Sequence, residues 1–215
     1  MAEHSSHVAH QFDDSTQQYE ASTLGMWAFL VTEIMFFGGL FAGFFVYILG
    51  HAQAFAEGSR HLDIALGTAN TVVLLGSSLT MALAVRSAQQ GNRNGQLLFL
   101  GLTMILGSVF LGIKGLEYAH KFEQHLVPGP GFHLDGPHAQ SAQLFFSFYF
   151  AMTGVHALHM VVGIGLLAWL FVNAWRGKYT EAYFTPVEVS GLYWHFVDVV
   201  WIFLFPTLYL VARHG

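Results

Sequence analysis

Glu33 stands alone as a charged residue in the apolar run from Leu24 to Leu49, within Trp27-Ala28-Phe29-Leu30-Val31-Thr32-Glu33-Ile34-Met35-Phe36-Phe37. A bare carboxylate in such surroundings is costly, so it is expected either to be protonated or to pair with a donor from a neighbouring helix. Its chemistry is then proton handling, or a neutral hydrogen bond that joins two helices. Thr153-Gly154-Val155-His156-Ala157-Leu158-His159 sets two imidazoles at i and i+3 on one helix face, and Tyr193-Trp194-His195-Phe196-Val197-Asp198-Val199-Val200-Trp201 does the same with an imidazole and a carboxylate. The histidine pair is compatible with haem or copper ligation shared with other helices. Hydrogen bonding between helices is the better-supported reading, because polar groups in membrane spans more often join helices than hold cofactors. His195 and Asp198 are expected to satisfy one another, or to reach His156 or His159 across the bundle, as buried polar locks. Glu117, beside Tyr118 at the end of another apolar run, reads as a solvated helix end or interface residue. His4, His7 and His10 lie in a polar tail, where three histidines are weak evidence for a metal site.

The elements that must position these groups are membrane helices. The chain has 215 residues, 10% charged and 54% hydrophobic, with a mean hydropathy of +0.49. Its last apolar run, Gly191 to Ala212, would measure about 33 Å as a helix, against a hydrocarbon core about 30 Å thick. Comparable runs cover 24–49, 64–85, 97–116 and 144–172. The expected fold is all-α: a polytopic membrane protein with a bundle of five transmembrane helices over 24–213, preceded by a polar cytoplasmic tail, 1–23. That tail holds no Lys or Arg, so the first span is expected to be retained rather than cleaved. With no cysteine, disulfides, thiolate metal sites and iron–sulfur clusters are excluded, and the scattered Lys and Arg give no basic face for nucleic acid.

Loop charges give the orientation. Arg86, Arg93, Arg176 and Lys178 lie on the side of the amino terminus, and Arg60, Lys121 and Arg213 on the other. The bias is small and favours a cytoplasmic amino terminus and an external carboxyl terminus, with the loop containing Pro128-Gly129-Pro130-Gly131 and Gly136-Pro137 outside. Gly39 and Gly43, one turn apart, form a face on which another helix backbone can approach closely, whether from this chain or another subunit.

Four stretches in order, Thr32-Glu33-Ile34-Met35-Phe36-Phe37, Asn70-Thr71-Val72-Val73-Leu74-Leu75, Leu116-Glu117-Tyr118 and Thr153 to His159, together with Tyr193 to Trp201, resemble subunit III of the haem-copper terminal oxidases, most closely the cytochrome c oxidase branch in a five-helix form. The resemblance implies an accessory subunit with no catalytic residue, no metal and no redox cofactor of its own. The haems and copper would lie in partner subunits. It also implies direct packing on subunit I, association with subunit II and other respiratory-complex subunits, and support of proton uptake during oxygen reduction in a bacterial cytoplasmic membrane. The carboxylate matching Glu33 is the one that reacts with hydrophobic carbodiimides. Bound phospholipid is left open, since two helices that wall a lipid-holding cleft in seven-helix members have no counterpart here. Subunit III of a quinol oxidase is the alternative within the family. A stand-alone proton channel or small transporter, with Glu33, His156, His159, His195 and Asp198 as a relay, and a haem-binding membrane anchor are the alternatives outside it.

Overall fold

The computed structural model describes residues 9–134 and 139–211. His4, His7, the Gly136-Pro137 turn and Arg213 lie outside the described residues. Among the described residues six helices follow one another: α1 (Ser15–Gly50), α2 (Ala52–Arg60), α3 (Ile64–Gln89), α4 (Arg93–Glu123), α5 (Ala139–Trp175) and α6 (Thr185–Tyr209). All but α2 are long and apolar enough to cross a membrane.

Caps, more than hydropathy, set where these helices begin and end. The residues expected to form a polar tail as far as position 23 are helical from Ser15, because the Asp14 carboxylate accepts a 2.7 Å hydrogen bond from the Gln17 amide and satisfies an otherwise orphan donor. Asp63 caps α3 through the amides of Ala65 and Leu66, and Asn92 caps α4 through that of Gly95. At the other ends, Gly91 and Gly177 adopt φ of 65° and 73°. Asn92 N–H then reaches Ser87 C=O at 2.9 Å, and Lys178 N–H reaches Asn173 C=O at 3.1 Å. These are the six-to-one bonds of a glycine-terminated helix. α4 ends in the same way on His125, with φ 54°.

The sequence reading contained no counterpart of α2. After a break at His51, α2 lays Ala54, Phe55, Gly58 and Ser59 against the bundle. Phe55 enters an aromatic cluster with Phe44, Phe145 and Phe148 that joins α1, α2 and α5. With only nine residues and a polar outer face, it falls below the length at which hydropathy alone marks a helix.

α6 is the hub. Half of its apolar window is buried, against 17% for α1, and α6 packs on α1, α2, α3 and α5. Trp194 and Trp201 are fully enclosed. The Trp194 indole N–H donates to Ser77 Oγ at 2.8 Å and that of Trp201 to Thr71 Oγ1 at 3.0 Å, so both large rings enter the core with their polar atom satisfied. Space for Trp194 comes from glycines on α4 and α5: a Cβ on Gly107 would lie 2.8 Å from the ring, and one on Gly163 would lie 3.0 Å from it. Gly107→Val is therefore expected to destabilise the folded chain by about 1–3 kcal/mol through overpacking, readable as a lowered unfolding midpoint in detergent. An unchanged midpoint would mean that Trp194 can move aside freely.

Candidate functional site

Glu33 on α1 meets His159 on α5. The carboxylate Oε2 lies 3.1 Å from His159 Nε2, and the two side chains are 18% and 16% exposed. The other ring nitrogen, Nδ1, lies 2.8 Å from the Val155 carbonyl. A carbonyl only accepts, so Nδ1 carries a hydrogen. Nε2 then either accepts the O–H of a protonated Glu33 or, as imidazolium, donates to the carboxylate. Each alternative places a single shared proton between the two groups. Phe37, one turn beyond Glu33, packs its ring 5.3 Å from that of His159 and covers the pair. Beside it, Ile34, Phe37, Phe41, Phe196, Val199 and Phe203 line an apolar groove of about 430 Å³ between α1 and α6.

The two histidines of α5 diverge. His156 is 1% exposed, lies between the rings of Phe110 and Trp201 at 5.4 and 5.2 Å, and has no hydrogen bond to either nitrogen among the described residues. Its neighbours cover it with aromatic rings, while His159 meets Glu33, so the two imidazoles do not converge on one ligand position. Among the described residues no three His, Cys, Asp or Glu side chains come together as a metal set. His195 and Asp198 do not satisfy one another as expected. His195 Nδ1 lies 2.8 Å from Ser78 Oγ on α3, while neither Asp198 oxygen has a hydrogen-bond partner among the described residues. The reason is position: α6 turns this face to α3, whose hydroxyls are nearer than the imidazoles of α5. A Cβ placed on Gly43 would lie 3.4 Å from the ring of Phe148, whereas one on Gly39 would meet nothing within 4 Å among the described residues.

Glu117 requires a correction. It is not a solvated helix end: it is 4% exposed, because α4 continues to Glu123 and the ends of α5 and α6 close over it. Lys114, one turn earlier and equally buried, donates to Glu117 Oε2 at 3.0 Å, to the Tyr149 hydroxyl at 3.1 Å and to the Tyr209 hydroxyl at 2.9 Å. Both phenols in turn donate to the carboxylate, Tyr149 to Oε1 at 3.0 Å and Tyr209 to Oε1 at 2.7 Å. All three ammonium hydrogens are used, and the rings of Tyr149 and Trp201 lie 4.9 and 5.3 Å from the nitrogen. Lys121, also buried, donates to the His61 carbonyl and ties α4 to the segment before α3. Sequence reading missed Lys114, Tyr149, Tyr209 and Ser78. The available signal was the i, i+3 spacing of Lys114 and Glu117 at the end of an apolar run.

A bundle of this kind, with charged groups buried in pairs and large aromatic residues at its hub, defines a polytopic helical membrane protein. The family model described as cytochrome c oxidase subunit III matches residues 6–213, and the chain belongs to that family. It is 34% identical over 192 residues to cytochrome c oxidase subunit 3 of Corynebacterium diphtheriae, covering 88% of this chain and 87% of that protein. It is 29% identical to quinol oxidase subunit 3 of Bacillus subtilis (97% and 98% covered) and 30% identical to cytochrome bo(3) ubiquinol oxidase subunit 3 of Pseudomonas aeruginosa (95% and 92%).

Proposed function

We propose that the chain is the accessory third subunit of a proton-pumping haem-copper oxidase, packing directly on subunit I and supporting proton uptake and durable turnover while oxygen is reduced to water. The observation that carries this reading is the family match along almost the whole chain. The haems and copper belong to partner subunits in this reading. It is supported by ionisable groups that are engaged with one another or enclosed by packing, as in Glu33 with His159 and Lys114 with Glu117. Phospholipid is proposed for the apolar groove between α1 and α6, whose lining matches an acyl chain. The donor is read as cytochrome c, on the identity to the Corynebacterium protein. Quinol is the second reading, favoured by the longer alignment with the Bacillus quinol oxidase subunit.

Purification of the native complex tests the assignment. The chain should travel with a haem-copper subunit, and the chain alone should show no Soret band; stoichiometric haem on the isolated chain would overturn the reading. Oxygen uptake with reduced cytochrome c or with a quinol then separates the two donors.

The proposed site is the bacterial cytoplasmic membrane, with a cytoplasmic amino terminus and an external carboxyl terminus, supported by the bias of Arg and Lys toward the loops on the amino-terminal side. Single cysteines placed at Gln90 and Lys178 are expected to react with an impermeant thiol reagent only from the cytoplasmic face, and those at Gln53 and Gln124 only from outside. All four positions are exposed, and the chain has no native cysteine to confuse the result. The reverse pattern would invert the topology.

A further inference from the structure

One line of α6 is left uncovered by the rest of the chain. Leu192, His195, Val199, Ile202 and Pro206 follow at intervals of three and four residues, which brings them onto one side of the helix, and none of them is buried. The groove against α1 borders this line on one side, and Ser78 of α3 borders it on the other. Two polar groups stand on it. Ser78 Oγ lies 2.8 Å from His195 Nδ1, so the imidazole keeps that nitrogen for its own chain. Its Nε2 is not enclosed and has no hydrogen bond among the described residues. The second group is a backbone carbonyl. Pro206 lies inside α6 and has no N–H to give to the carbonyl of Ile202 one turn earlier, and both residues are exposed.

Depth decides what can cover such groups. At 1.5 Å per residue His195 lies about 15 Å from the start of α6 at Thr185 and about 21 Å from its end at Tyr209. An imidazole is too short to reach either membrane surface from there. Acyl chains offer neither donor nor acceptor, and headgroups stay at the helix ends, so lipid would leave Nε2 and the Ile202 carbonyl unsatisfied in hydrocarbon, where each is costly. A neighbouring helix meets both, because side chains that hydrogen-bond across helices are the ordinary way in which polar groups in spans are satisfied. A second copy of this chain does not: paired about a two-fold axis along the membrane normal, it would set carbonyl against carbonyl, and a carbonyl only accepts.

We propose that this line of α6 is the seat of a transmembrane helix from a different subunit, one that carries a hydroxyl, carboxamide or carboxyl side chain at the depth of His195 and a donor at the depth of Ile202. His195 is then a docking residue. Ser78 holds the ring from inside the chain and leaves Nε2 for the partner, as donor or acceptor according to which ring nitrogen carries the hydrogen. An acyl chain in the groove between α1 and α6 would lie along one flank of the docked helix. The inference rests on the reading of the chain as an accessory subunit only in that a neighbouring membrane subunit must exist, and it holds for either electron donor.

A benzophenone amino acid placed at Ile202 of the full chain tests the surface in the native membrane. On illumination it should join the chain to another subunit of the purified complex, and the adduct should map to a membrane span of that subunit bearing such a polar side chain. Adducts to lipid alone, to a second copy of this chain or to a segment outside the membrane would overturn the proposal. His195→Leu removes the hydrogen bond and keeps apolar bulk, so the fraction of chain retained on the complex through a detergent series should fall about tenfold. His195→Gln should hold that fraction, since its amide can still meet both Ser78 and the partner. Retention of the Leu variant at the unaltered level would also overturn the proposal, and the cross-link carries the test if that variant does not accumulate. The haem content of the complex bears on the oxidase reading alone: a cross-linked complex without haem would sink that reading and keep the surface, and a haem-copper subunit purified without an adduct would do the reverse.

Discussion

Replacing Lys114 with methionine is expected to destabilise the folded chain by about 3–5 kcal/mol, the range found when one member of a buried ion pair is removed and its partner keeps an uncompensated charge. Glu117 would retain the hydroxyls of Tyr149 and Tyr209, and these two donors soften the loss without neutralising the carboxylate. The double variant Lys114→Met with Glu117→Gln should recover most of the stability, since the amide oxygen still accepts from both phenols and no charge is left behind. The measurement is a thermal or denaturant midpoint in detergent for the two single variants and the double variant. If Lys114→Met alone is neutral, Glu117 reaches water by a route the enclosed geometry does not provide, and the cluster is not what joins α4, α5 and α6.

That cluster also marks where sequence reading stops. The spans were legible because about 20 apolar residues in succession have few folds other than a membrane helix. The same hydropathy argument placed the end of the third span at Leu116 and left Glu117 to solvent, whereas α4 runs on to Glu123 under the cover of other helices. Enclosure of this kind is a tertiary property, set by residues far away in the chain such as Tyr149 and Tyr209. The partners of the polar groups were illegible for the same reason. Spacing put His195 and Asp198 on one face of α6, but which neighbour that face meets depends on the rotation of α6 in the bundle, and its choice of Ser78 follows from α3 lying against it. α2 escaped notice because a nine-residue amphipathic helix derives its stability from the surface it covers, here the aromatic side chains of α5.

Glu33→Gln is expected to abolish labelling of this chain at position 33 by a hydrophobic carbodiimide while leaving assembly intact. The reagent adds to a protonated carboxyl, and the apolar groove beside Ile34 and Phe37 gives it access from the membrane side. The glutamine amide can donate to His159 Nε2 as the protonated acid does, because Nδ1 is committed to the Val155 carbonyl and leaves Nε2 free to accept. Helix α1 therefore stays tied to α5, and only the shared proton is lost. His159→Leu removes the tie as well, leaves the carboxyl against an apolar side chain, and should loosen α1, the span least covered by the rest of the chain. In the assembled complex, initial oxygen consumption of Glu33→Gln is expected within about twofold of the unaltered protein, no more than about 0.4 kcal/mol on the barrier, since the pair touches no reacting atom in this chain. A large immediate loss with full assembly would place Glu33 on the route by which protons enter, with the pair as a carrier. Unchanged rates in Glu33→Gln together with a dissociating α1 in His159→Leu would identify the pair as the fastening between α1 and α5.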